Sequence, residues 1–444
     1  MGIFARRYIQ RALDELALVV AQETINDWVR RLNMPLRDYS AIEWEVAIVH
    51  CLSGLGKLHH EPSLGTSRID IVFSRGTLNF GADCVAISDH SQHERNPIEV
   101  FLGHANNSIR SAGITTGRFT VQINEEQPSV TRFHNRRKRL QLPPVTQMKE
   151  ILQDEEFQDF LRVVKTTGIK ASFRLVRKSP QIDVAFIYES GIGNGHATVG
   201  AYVSYTSTTA KDDNPLFNAL KSKAKQLKKS GYVGLRGIIV CDRDATILRE
   251  MSNWSTFTKH EVVNEFFRQN SSVNFVLTIA IDTSFGVFSR FERAYKAELF
   301  VNANEIPNWA TELKELFDAM VVRLPAIQQT PQNSDLEMKH HQATITDAPY
   351  RGGWSMKYGT GSVEVTISTR ELLDLFAGRL SFESFDRHHT ESGKNVFARL
   401  RESGHLISGV SVEKCRDEDD DKITFLFGPK DAAVAKFQSR RRDS

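Results

Sequence analysis

Cysteine is scarce, at 4 of 444 residues. Cys51, Cys84, Cys241 and Cys415 lie far apart and form no CxxC pair. That spacing excludes a disulfide framework and a zinc ribbon, and points to a reducing, cytoplasmic compartment. Long apolar runs are also missing: none approaches the roughly 20 residues that a membrane span needs. The first twenty residues are charged throughout and periodic, which predicts an amphipathic helix rather than a signal peptide. Net charge is only +3, so any contact with nucleic acid must come from local basic patches rather than from an overall basic chain. No Walker-type phosphate loop, GxSxG elbow or HExxH pair occurs. The glycines at 191, 193 and 195 follow one strand signal and precede another, which argues against a dinucleotide site.

What is present is an ordinary globular composition, 40% hydrophobic and 25% charged, long enough for several domains. Helical periodicity covers residues 5–33 and 38–52. Strand signals follow at Arg68–Ser74 and Asn79–Ser88, with Arg75-Gly76-Thr77 between them as hairpin punctuation. A further strand is expected at His196–Tyr205. Asn214-Pro215 then starts a helix, as N-cap and first helical residue. Leu216, Leu220, Ala224 and Leu227 line one face of that helix, and the buried strand Leu235–Cys241 follows it. Residues 326–348 are polar and read as a linker. Beyond it, Ser368 to Glu371 reads as a capping box.

The expected fold is α/β, a mixed central sheet flanked by helices. A split domain would span residues 1–325, with its core at about 38–90 and 196–244 and a large insertion at 91–195. A small α+β domain at 349–444 would dock a protein partner.

Two aspartates interrupt apolar strands: Asp70 in IDIVF and Asp83 in FGADCVAI. A carboxylate in a buried strand is costly unless it is paired or binds a cation, and two on adjacent hairpin strands suit Mg²⁺. The alternative is that each sits at a strand end, solvated or bonded to an arginine. Glu43 and Glu45 lie on the preceding helix, where a glutamate usually marks the wet face. Asp183, with Glu189 on the same strand, is a second candidate acid. The adjacent pairs His59-His60, His340-His341 and His388-His389 should diverge and form no metal site. The acidic run at 417–421 lacks the spacing of a calcium loop. Two basic clusters offer phosphate contacts: Arg136, Arg137, Lys138 and Arg139, and the helix carrying Lys221, Lys223, Lys225 and Lys228.

The order of a helix with Glu45, a strand with Asp70, a strand with Asp83, then a later helix and strand resembles the PD-(D/E)XK, or restriction-endonuclease-like, nuclease superfamily. The resemblance implies an αβββαβ core that hydrolyses DNA phosphodiesters with Mg²⁺ or Mn²⁺, as in defence or repair systems. It implies Asp70 and Asp83 as catalytic acids and metal ligands, with Glu45 as a third ligand. The family's lysine would fall at Val85. Some members carry it, or a replacement, on the following helix, where Lys223, Lys225 and Gln226 stand; Lys225 and Gln226 are the catalytic choices. A non-catalytic nucleic-acid-binding or scaffold subunit on the same fold is the alternative.

Overall fold

The computed structural model describes the chain apart from residues 1, 35–38, 63–67, 127–138, 169, 178–181, 191–195, 207, 250–255, 286–290, 304–306, 329, 331–353, 392–393, 416–419, 432 and 435–444. It is a mixed α/β protein whose chain divides into two compact units. The first comprises Met1–Ala86, Lys223–Arg243 and Ser272–Ser444; the second comprises Ile87–Ser222 and Asp244–Ser271. Among the described residues no helix is long and apolar enough to cross a membrane.

The first unit begins with helices α1 (Arg6–Leu16), α2 (Gln22–Leu32) and α3 (Tyr39–Ser53). The single helix expected over 5–33 is broken: Ala21 is extended at φ −59°, ψ 138°, and Leu18 and Val19 are exposed. α3 buries 11 of its 15 residues, as a helix wrapped on all sides must. Glu43 is therefore fully buried rather than on a wet face, and its Oε2 accepts from Ile3 N at 2.9 Å.

Next come strands β1 (Lys57–His60), β2 (Ile71–Arg75) and β3 (Leu78–Ile87), an antiparallel meander. Gly76 turns β2 into β3 at φ 57°, a conformation that glycine adopts without a Cβ penalty. Later strands β8 (Leu235–Asp242), β9 (Phe275–Phe285) and β10 (Phe291–Val301) complete a mixed sheet in the order β1-β2-β3-β8-β9-β10. β8 and β9 are parallel, while β9 and β10 are antiparallel. Phe73, Phe80, Phe275 and the helical Phe317 pack ring on ring at 5.2–5.9 Å. That cluster anchors the β2–β3 hairpin, since each buried phenyl contributes about 1.5–3 kcal/mol by leaving water.

The second unit has its own sheet, β4 (Gly117–Ile123), β5 (Ala171–Arg177), β6 (Ile182–Glu189) and β7 (His196–Tyr202), in the order β5-β6-β4-β7. β6 alternates buried and half-buried residues along its whole length, the period of a strand with one face on a core. β7 pairs with β4 in parallel. The strand expected at 196–205 therefore belongs to this sheet and not with the Asp70–Asp83 hairpin, because its partners are set by packing that its own pattern does not encode. Helices α4 (His90–Arg95), α5 (Ile98–Ser111), α6 (Val145–Ile151) and α7 (Glu155–Thr167) belong to this unit. Helix α8 (Pro215–Lys229) carries the chain back toward the first unit, with the boundary at Lys223. Its cap forms as expected, Asn214 Oδ1 accepting from Phe217 N at 2.9 Å.

The C-terminal residues form a four-stranded antiparallel sheet. Its strands run, across the sheet, Ser355–Gly359, Ser362–Ser368, Lys422–Phe427 and Ile407–Glu413. Val365, Ile367, Val396 and Leu400 lie in its core. Ser368 Oγ accepts from Glu371 N at 3.3 Å, giving one half of the expected capping box. The Glu371 carboxylate instead takes His388 Nδ1 at 2.8 Å, with His389 Nε2 3.5 Å from its other oxygen. These adjacent histidines converge on one carboxylate because the helix ends at His388, which frees His389 from the helical divergence.

Candidate active site

The β2–β3 hairpin brings Asp70 and Asp83 together. Ile71 pairs with Ala82, so continuing that register by one residue sets Asp70 opposite Asp83. The two side chains then cross-link the strand ends. Asp70 N donates to Asp83 Oδ1 at 3.0 Å, and Cys84 N donates to Asp70 Oδ2 at 2.7 Å.

A lysine completes the group. Lys223 Nζ from α8 lies 2.9 Å from Asp70 Oδ2, with both side chains more than four-fifths buried. The lysine beside the carboxylates is thus Lys223. Lys225 is exposed, because one residue is about 100° around a helix, and the two-residue step from 223 swings it off the face that meets the hairpin. Gln226, three residues beyond Lys223, shares that face but spends its Nε2 on Arg68 O at 3.1 Å. Lys221 and Lys228 are exposed. Arg139 is exposed, and Arg136, Arg137 and Lys138 lie outside the described residues.

Glu45, on α3, lines the same space. Its Oε1 accepts from Trp28 Nε1 at 3.1 Å and lies 3.2 Å from His60 Nε2. Trp28 and His60 meet edge to face at 4.8 Å. His60 stood out in the sequence only as half of the His59-His60 pair, and nothing tied either residue to Glu45. Trp28 sits 17 positions from Glu45, and only packing brings it there. A cavity of about 330 Å³ opens among these groups, lined by Glu45, Asp70, Lys223, Arg31, Arg243 and Cys84.

Burial and then the Asp70 charge push Asp83 up from an ordinary 3.8 to about 7, with Lys223 opposing them. Burial works against the charge on Lys223, but Asp70 and Asp83 outweigh it and hold the ammonium above its usual range. Burial likewise works to raise Glu45, yet His60, Trp28 and Arg31 prevail and keep it below the usual carboxylate range. The site thus holds one firmly ionised glutamate, one firmly charged lysine and one aspartate poised near neutrality.

Asp83 Oδ2 is buried and without a hydrogen-bond partner among the described residues. An unsatisfied carboxylate oxygen is costly, and a cation would satisfy it. Among the described residues no cluster of three His, Cys, Asp or Glu stands ready to hold a metal. Mg²⁺ does not require one, since it is usually bound by one or two carboxylates together with waters and substrate phosphates. Asp70 lines the cavity and Asp83 lies buried beside it, so the pair offers such a set one cavity-facing and one buried carboxylate.

The other candidate acids have structural roles. Asp183 is bonded to Arg174 at 2.8–2.9 Å and to Asn124 at 2.8 Å, and Glu189 pairs with Lys170 at 3.2 Å. The pair His340-His341 and acidic residues 417–419 lie outside the described residues; Asp420 and Asp421 pair with Arg370 and Arg7. No protein-family model, no curated protein and no solved structure matches the chain.

Proposed function

We propose that the chain is a Mg²⁺- or Mn²⁺-dependent nuclease that hydrolyses DNA phosphodiester bonds at the Asp70–Asp83 hairpin. The observation that carries this reading is the convergence of two strand carboxylates and Lys223 Nζ, with one buried carboxylate oxygen of Asp83 left unsatisfied. The order α3, β1-β2-β3, α8, β8 also matches the αβββαβ core of the nuclease superfamily that the sequence resembles, with β8 next to β3.

Asp70 and Asp83 would hold the metal, which when bound supplies an activated water and charge stabilisation at the scissile phosphate. Lys223, fixed on Asp70, presents a full positive charge where negative charge develops on that phosphate. Glu45, locked by Trp28 and His60, is ionised and lines the cavity, so it would orient the attacking water by accepting a hydrogen bond from it. Arg31 and Arg243, lining the same cavity, suit the non-bridging phosphate oxygens. Exposed Lys221, Lys225 and Lys228 would add sequence-independent contacts along the DNA backbone.

The test is cleavage of plasmid and linear DNA with Mg²⁺ or Mn²⁺, by the wild type and by Asp70→Ala and Asp83→Ala. Both variants should lose cleavage, and chelation should abolish it in the wild type. Equal cleavage by the variants sinks the proposal. The Lys223–Asp70 ion pair also favours a second reading, a site that binds DNA without cutting it. That reading expects salt-sensitive DNA binding with no cleavage under any divalent ion.

A further inference from the structure

The second unit holds a cavity larger than the one at the hairpin, about 540 Å³. Helix α5 buries Ile98, Phe101, Ala105 and Ile109. Another face of the same helix carries His104, Asn107, Ser108 and Ser111 into the cavity lining, at helical spacings of three and four. α6 contributes Lys149, and Gln153 and Gln158 complete the polar wall. A solvent-facing helix surface normally mixes both signs of charge. Aspartate and glutamate number 54 in this chain, yet among the described residues neither lines this cavity. The lining is instead amide, hydroxyl and imidazole around one ammonium, with the Ala112 methyl among them. Gln158 Nε2 is committed to Leu152 O at 2.8 Å, which fixes that side chain and leaves its carbonyl oxygen as an oriented acceptor.

We propose that this cavity is a binding site for a nucleoside monophosphate. The volume lies within the range of small-molecule sites and far exceeds what a bare phosphate fills. Lys149 supplies the charge-assisted contact for the phosphate. Asn107 and Gln153 each present a donor and an acceptor side by side, the complement of a nucleobase edge, and Gln158 adds its oriented acceptor. Ser108 and Ser111 suit ribose hydroxyls. No carboxylate in the wall repels the anion. The site lies wholly in the second unit and does not depend on the nuclease reading.

The test is isothermal titration of the full chain with AMP, GMP, CMP and UMP, using ribose 5-phosphate and inorganic phosphate as controls, in the absence of divalent metal. At least one nucleotide should bind, and more tightly than either control. Lys149→Met should weaken it about tenfold, the worth of one hydrogen bond to a charged group, while Lys149→Arg should retain most of the affinity. Asn107→Asp, which adds a negative charge to the wall, should weaken it by at least as much. Lys149 and Asn107 are both exposed, so the variants should fold, which circular dichroism checks. The proposal is overturned if no nucleotide binds at millimolar concentration, if ribose 5-phosphate or phosphate binds equally well, or if the variants bind as the wild type does.

Discussion

Asp83→Asn offers the sharpest test of the electrostatics at the hairpin. Asn is nearly isosteric and keeps an Oδ1 that can accept from Asp70 N, so the strand cross-link survives. What it removes is the buried titration. Asp83 is raised from 3.8 to about 7, chiefly by burial and then by Asp70. Across that window the folded chain keeps a proton that the unfolded chain releases, so folding stability falls as pH rises and levels off above about 7. At about 1.4 kcal/mol per pH unit, the whole loss is roughly 4 kcal/mol. Between pH 5 and pH 7, two of those units, the wild type should lose about 2–3 kcal/mol. Chemical denaturation of both proteins near pH 5 and near pH 8 isolates the effect, because every other titrating group is common to the two. The wild type should lose stability relative to Asp83→Asn on going to the higher pH. Mg²⁺ at the higher pH should restore part of the difference in the wild type only, since a cation stabilises the carboxylate that the variant lacks. An equal response of the two proteins to pH would refute the buried, charge-coupled description of Asp83.

Lys223→Ala should lower DNA cleavage about 10²–10³-fold, whereas Lys225→Ala should change it little, as single-turnover rates would report; a reversed ranking would move the catalytic cation. Replacing Lys221, Lys225 and Lys228 together with alanine should weaken DNA binding and flatten its salt dependence by roughly 0.9 in the log–log slope per lost phosphate contact, read from titrations at several ionic strengths. His60→Ala should raise the Glu45 carboxyl toward ordinary values and shift the acid limb of any cleavage pH profile upward, because His60 heads the groups that hold Glu45 down. Gly237→Ala would drive a methyl group into the Phe275 ring and should cost about 1–3 kcal/mol by overpacking, measurable as a lower denaturation midpoint with no change in pH response.

Much of the fold and part of the site were legible in the sequence. Strand and helix periods located the hairpin, the helix begun by Asn214-Pro215 and the buried strand after it, because side-chain alternation and capping are local properties of the chain. Asp70 and Asp83 stood out for the same reason, as carboxylates breaking short apolar runs. The tertiary structure alone decided which lysine meets Asp70, since neighbouring positions on one helix carry the same charge and only docking against the hairpin selects Lys223. It also decided that Trp28 and His60 grip Glu45, and that the strand at His196 joins β4 rather than the hairpin. Those are contacts between segments far apart in sequence, set by how whole elements pack, and no residue's local pattern encodes its distant partner.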